Sequence, residues 1–221
     1  LPAAAGWSEA VLAAALAQSF ALPQWRSKAA RPWHLQAIEL FEAPPLPLAR
    51  IQAGARAGNL VRWLTALPPN HLDARAYRAL LRTLARRHGL GLRWYSEREL
   101  KRMGAGAFLA VTRGNATHDA GIARLIWHGP RTRGKTSRRA RPDVALVGKG
   151  IVFDTGGINL KSHRSMLDMH TDMAGSALAL ATLLALAELR APLHAECWLA
   201  ISENNIGPRA YRPQEVVRAL N

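Results

Sequence analysis

Two lysines and two aspartates, Lys149, Asp154, Lys161 and Asp172, fall within one short stretch of an otherwise apolar sequence. Lys149 lies inside the run Val147-Gly148-Lys149-Gly150-Ile151-Val152-Phe153, which ends in Asp154-Thr155-Gly156-Gly157. Desolvating an ammonium group is costly unless something compensates. Lys149 therefore either pairs with a neighbour such as Asp154, or is neutral and donates its nitrogen to a metal ion whose own charge resets the local balance. Gly156 and Gly157 let the backbone turn sharply or approach a ligand closely. Asp168 and Asp172 then bracket Met169-His170-Thr171, ahead of the small-residue helix start Ala174-Gly175-Ser176-Ala177. Asp172 is also placed to act as the N-cap of that helix. Two carboxylates and two amines around glycines point to a hard-metal or phosphate site, and the missing GKS or GKT ending argues against a P-loop. His163, His170 and His194 lack HExxH spacing and are assigned supporting or structural roles. Glu203 and Asn204, just past an apolar run, are equally suited to lining a site and to capping a loop.

The elements around these residues follow from periodicity. Asp143 to Phe153 reads as a strand, Asp172 to Leu189 as a long helix and His194 to Ile201 as a second strand. That order implies a parallel pair joined by a crossover, with the polar cluster at the carboxyl end of a strand, where such sheets bind ligands. Upstream, Ser8 to Phe20 and Ile51 to Leu67 show helical spacing, the second stopped by Pro68-Pro69. Asp73 caps a helix through Arg87 that Gly89 stops, and Ser96 with Glu99 matches a capping box. Strands are expected over Trp33 to Leu40, Leu90 to Tyr95, Phe108 to Thr112 and Ile122 to His128. A basic loop spans residues 130 to 142, and Pro213 opens a short helix to Leu220. The fold class is α/β, a mixed sheet with helices on both faces and the site at the carboxyl ends of central strands. Residues 1–49 are expected to be a reduced N-terminal segment or small-domain remnant, and residues 50–221 to belong to the α/β domain, which the family resemblance given below implies is the first part of a catalytic domain.

The chain has 221 residues, 49% of them hydrophobic, which makes it globular and able to bury a real core. Its one cysteine, Cys197, can form no intrachain disulfide, which suits a reducing, cytoplasmic setting. The longest apolar stretch, Ala174 to Leu189, is too short to span a bilayer, and residues 1–22 lack the pattern of a signal peptide. Lysine and arginine number 30 against 15 acidic residues, a net charge of +15 that would attract polyanions. Nucleic acid is thus an alternative partner, and a non-catalytic basic scaffold an alternative role.

From Val147 to Lys161, and again from Met166 through Asp168-Met169-His170-Thr171-Asp172 to Gly175, the sequence resembles the leucyl aminopeptidase, or cytosol aminopeptidase, family, with the family's spacing and no insertion. Weaker similarity extends from Gly58-Asn59-Leu60 to Pro213-Gln214-Glu215. The resemblance implies that Asp154 bridges two divalent ions, that Lys149 and Asp172 complete the more loosely held one, that Lys161 polarises the peptide carbonyl, and that Met169 lines the pocket for the substrate's first side chain. It implies zinc, manganese or magnesium as the ions, peptides as substrates and a homohexamer as the assembly. The family pattern Asn-Thr-Asp-Ala-Glu-Gly-Arg, which brings further carboxylates and an arginine near a bound bicarbonate, is not present in these residues. Three ligands are too few for two hydrolytic ions, so a complementary C-terminal part is expected to complete the site.

Overall fold

The computed structural model describes residues 3–28, 35–41, 45–130 and 141–220. Helix α1 (Ala3–Gln18) lies against α2 (Leu48–Ala66), where the Asn59 and Arg62 side chains donate to the carbonyls of Leu16 and Ala17. Helix α3 (Ala74–His88) begins where the Asp73 carboxylate accepts from the Ala76 amide at 2.6 Å. It ends at Gly89, whose φ of 64° is the left-handed conformation that lets its N–H close the last turn. Strand β1 (Gly91–Ser96) runs directly into α4 (Glu97–Met103), and the expected capping box between Ser96 and Glu99 makes that join. Helix α5 (Gly106–Thr112), strands β2 (Gly121–His128) and β3 (Val144–Asp154), the short α6 (His163–Met166), a 3-10 turn at Met169–Thr171, α7 (Ala174–Glu188) and strand β4 (His194–Asn204) complete the order.

The sheet order is β1-β2-β4-β3, with β3 outermost. β1 pairs antiparallel with β2 and β2 with β4, while β3 and β4 are parallel, so the sheet is mixed. The parallel pair needs a crossover, and the segment from α6 to α7 provides it. One sheet face carries Ala123 and Leu125 of β2 with Ala195, Cys197, Leu199 and Ile201 of β4. All are fully buried in one core with Leu64 of α2, Tyr77 and Leu81 of α3, and Leu180 and Leu183 of α7. Each such leucine contributes roughly 1.5–3 kcal/mol. A smaller cluster of Tyr95, Leu100 and Ala105, with Phe108, Leu109, Ile122 and Trp198 against it, covers part of the other face from α4 and α5. The sheet thus has helices on both faces.

The run His163–Glu188 is apolar enough to pass for a membrane span by composition. It is broken into α6, the 3-10 turn and a 15-residue α7, below the roughly 20 residues a span requires, and α7 sits in the core.

Three expectations fail, each for a local reason. Phe108 to Thr112 is helical in α5, because Phe108 and Leu109, neighbours in sequence, both pack on the same small cluster, which a strand's alternation would forbid. Residues 35–40 form no strand; they cross α1 and α2, sharing a hollow with Leu12, Leu16 and Leu48. Trp33 and His34 of that expectation lie outside the described residues, as do residues 131–140 of the basic loop. Pro213 to Leu220 is not a helix: Gln214 takes a φ of 66°, and Glu215 instead bonds the Arg212 amide and the Arg113 guanidinium.

Candidate functional site

Five positions separate Lys149 from Asp154, an odd number, so strict alternation along β3 would send the two side chains to opposite faces. The β3–β4 register removes the conflict. Ile151 pairs with Ser202 and Asp154 with Asn204, three steps on β3 against two on β4. The extra residue is a bulge, a device that re-aims side chains, and it brings Asp154 back into phase with Lys149 and Ile151. Those three, with their β4 partners Ala200, Ser202 and Asn204, line one cleft of about 440 Å³ that Phe108 and Val111 of α5 close on another side.

Asp154 is buried, and each of its oxygens is engaged. Oδ1 accepts from the Gly156 amide at 2.8 Å and from Asn204 Nδ2 at 2.6 Å, while Oδ2 lies 2.9 Å from Lys161 Nζ. Burial pushes this carboxyl up, but the Lys161 ammonium, the Gly156 amide and the Asn204 amide together outweigh it and hold the group below the ordinary aspartate range. Gly156 makes its part possible with a φ of 86°, where a side chain would be strained.

Lys161 Nζ also lies 2.8 Å from Met169 Sδ, which joins the 3-10 turn to the strand end. Lys149 Nζ meets the Asp172 oxygens at 2.7 and 2.8 Å. The four charged groups therefore form two lysine–aspartate pairs, Lys149 with Asp172 and Lys161 with Asp154, on either side of the β3 terminus.

Two expectations about these residues are corrected. Lys149 is paired with Asp172 and not with Asp154, and its side chain is 59% exposed instead of being enclosed in apolar surroundings. The reason is the open cleft on that face: α5 faces Val147 and Lys149 only across the cleft and does not pack on them, and Val147 itself is 79% exposed. Asp172 does not cap α7, whose N-cap position is Met173 without a side-chain hydrogen bond; the Asp172 carboxylate turns to Lys149 instead. Of the pair Glu203 and Asn204, it is Asn204 that reaches the site. Its signal in the sequence is faint, a polar residue three positions beyond the expected strand end at Ile201.

His194 is buried at the other end of β4, stacked on His128 with ring centroids 4.7 Å apart, and takes no part in the cluster. Among the described residues no group of three or more histidines, cysteines, aspartates and glutamates stands together to hold a metal ion.

A mixed α/β sheet with paired lysines and aspartates at a strand's carboxyl end defines the class: a ligand- or ion-binding α/β domain with cationic and anionic groups held ready. Residues 59–221 match the family model described as the cytosol aminopeptidase family, catalytic domain. The chain is 35% identical over 197 residues to a probable cytosol aminopeptidase of Corynebacterium diphtheriae, covering 87% of this chain and 38% of that protein. It is 38% identical to one of Desulfovibrio desulfuricans, covering 82% and 36%. Among solved structures, the bottromycin maturation enzyme BotP in complex with Mn superposes with a TM-score of 0.79 at 31% identity, covering 98% of this chain and 44% of that one. The leucyl aminopeptidase of Trypanosoma brucei in complex with bestatin gives a TM-score of 0.78 at 26% identity, covering 96% and 41%. This chain belongs to the cytosol aminopeptidase family, and it spans well under half the length of these relatives. Membership implies a two-metal active site.

Proposed function

We propose that these residues form part of the active site of a metal-dependent aminopeptidase that removes N-terminal residues from peptides in the cytoplasm. The observation that carries the proposal is the convergence of Lys149, Asp172, Asp154 and Lys161 on one strand terminus. The residues fit divalent ions in part. Lys149 Nζ and the Asp172 carboxylate are close enough to share one ion, and Asp154 lies on the same cleft. Three donors fall short of two closed coordination shells, so the remaining carboxylates come from a complementary C-terminal part, together with any bicarbonate site. Zinc, manganese and magnesium all suit oxygen and amine donors to some degree, and the manganese complex of BotP favours manganese. Divalent ions would supply Lewis-acid polarisation and a water ionised at neutral pH.

This chain's own residues do the rest. Lys161 is the catalytic residue: its ammonium donates hydrogen bonds to the oxygen on which negative charge develops as the peptide carbonyl becomes tetrahedral. Asp154 Oδ2 and Met169 Sδ hold that ammonium in the resting state from two sides. Met169, beside Lys161, lines the pocket for the first side chain of the substrate. A homohexamer is the assembly that family likeness favours.

The full-length protein, loaded with zinc or manganese, is assayed on leucine anilide. Hydrolysis is expected, with kcat lowered about 100- to 1,000-fold in Lys161→Met. A fully loaded protein that hydrolyses nothing removes the enzyme reading.

A second reading has its own observation. Arg75, Arg78, Arg82 and Arg86 recur at helical spacing on α3, which contains no acidic residue, and such a stripe attracts polyanions. Nucleic-acid contact would give an affinity that falls steeply with salt; an affinity unaffected by salt, or none, removes it.

A further inference from the structure

We propose that Asn204 is a positioning residue of the cation site, acting through Asp154. The inference rests on the reading of Asp154 as a metal ligand. Asn204 is the register partner of Asp154 across the bulge, so its backbone is fixed relative to the carboxylate it serves. Its own carbonyl accepts from both the Thr155 amide at 2.9 Å and the Thr155 hydroxyl at 2.8 Å, which locks the loop after β3 to the end of β4. Its side-chain amide then donates to Asp154 Oδ1 at 2.6 Å, alongside the Gly156 amide at 2.8 Å. A carboxylate only accepts, so the group facing it must be the amide nitrogen. Two N–H donors occupy Oδ1, and the oxygen left to meet a cation is Oδ2, the one now paired with Lys161. Asn204 thereby fixes the rotamer of Asp154 and decides which oxygen the cleft receives. Groups that orient a metal ligand by hydrogen bonding tune the affinity of the ion it holds.

The test uses the full-length protein, stripped of metal and titrated calorimetrically with Mn²⁺, as wild type, Asn204→Ala and the near-isosteric Asn204→Leu. Urea unfolding of each metal-free form serves as the control for folding. Two ions are expected to bind in all three, with affinity about 10- to 100-fold weaker in the variants wherever Asp154 is a ligand. Raising Mn²⁺ is then expected to restore aminopeptidase activity, and because bound ions also stabilise the native state, this counts for the inference only in a variant whose metal-free unfolding midpoint matches the wild type. A folded variant that binds both ions with wild-type affinity, or one whose sole change is a lower unfolding midpoint, overturns the inference while leaving the metal reading intact. A wild type that takes up no ion sinks the metal reading and this inference with it. If Asn204→Ala does not fold, Asn204→Leu, which preserves the side-chain volume, carries the comparison.

Discussion

Lys149 reaches from the outer strand β3 to Asp172, and its Nζ lies 2.8 and 2.7 Å from the two carboxylate oxygens. Among the described residues both side chains are accessible, Lys149 more than half exposed, so solvent screens their attraction and the pair adds little to the folding of this part of the protein. Its geometry suits a site waiting for a cation better than a structural clamp. In the full-length protein, Lys149→Met and Asp172→Asn are each expected to shift the unfolding free energy of the metal-free form by no more than about 1 kcal/mol. Each should also reduce the ions retained from two to one. Urea titration and metal analysis of the same samples separate the effects. A loss of several kcal/mol with ion content unchanged would make the pair structural.

The Arg124–Glu196 pair predicts the opposite pattern. Glu196 is 5% exposed, bonded to the Arg124 guanidinium and to Trp198 Nε1 at 2.9 Å. Arg124 holds its carboxyl below the ordinary glutamate range against the upward push of burial. A depressed folded-state pKa gives stability that is present above the unfolded value, about 4.3, and lost as pH falls through the folded value. Stability of the wild type should therefore decline below about pH 4.3, and Glu196→Gln should flatten that decline. Arg124→Met leaves a buried charge without its partner and is expected to cost about 3 kcal/mol at pH 7. Replacing both residues by apolar ones should cost less than removing Arg124 alone; if the double variant is the worse, the burial argument is wrong.

What could be inferred from the sequence divides along the range of the interaction. The Asp73 cap, the Ser96–Glu99 box and the Gly89 stop depend on neighbours within a turn, and all three appear as expected. β3, α7 and β4 are long apolar runs, and the 15 residues of α7, without glycine or proline after Gly175, read as a buried helix. The Lys149–Asp172 pairing depends on the 3-10 turn that Asp172 closes lying against β3, and the alignment of Lys149 with Asp154 depends on a bulge that only the β4 register reveals. Asn204 was ambiguous for the same reason, since its partner is set by cross-strand pairing and not by spacing. Phe108 to Thr112 is too short for either periodicity to dominate, and packing on Tyr95 and Leu100 decided it.

Close approach of β3 to α7 yields a third prediction. A Cβ at Gly148 would stand 2.5 Å from Ser176 Cα and 2.8 Å from the Gly175 carbonyl, both backbone atoms that cannot swing aside. Gly148→Ala must push the start of α7 away from the strand, at a cost of about 1–3 kcal/mol. Because Asp172 directly precedes that helix, the same change should lengthen the Lys149–Asp172 contact and weaken ion uptake. Urea unfolding with a parallel Mn²⁺ titration checks both; unaltered stability would show that α7 is not seated on Gly148.

Cys197 tests the core from its centre. It is fully buried on β4, and burial pushes its thiol up to about 12. At pH 8 a thiol of that pKa is ionised in only about one molecule in ten thousand, and the thiolate is the nucleophile. Its face of β4 also carries Ala195, Leu199 and Ile201, all fully buried, so a reagent must open the sheet to reach the sulfur. Labelling by an aromatic disulfide reagent at pH 8 is expected to be at least about 1,000-fold slower in native buffer than in concentrated urea. Because opening must precede reaction, the native rate should follow the unfolding equilibrium and quicken in Gly148→Ala by the factor its lost stability dictates. Labelling within minutes in native buffer, at a rate indifferent to that substitution, would place Cys197 outside the core and undo the assignment of the β4 face on which the site geometry depends.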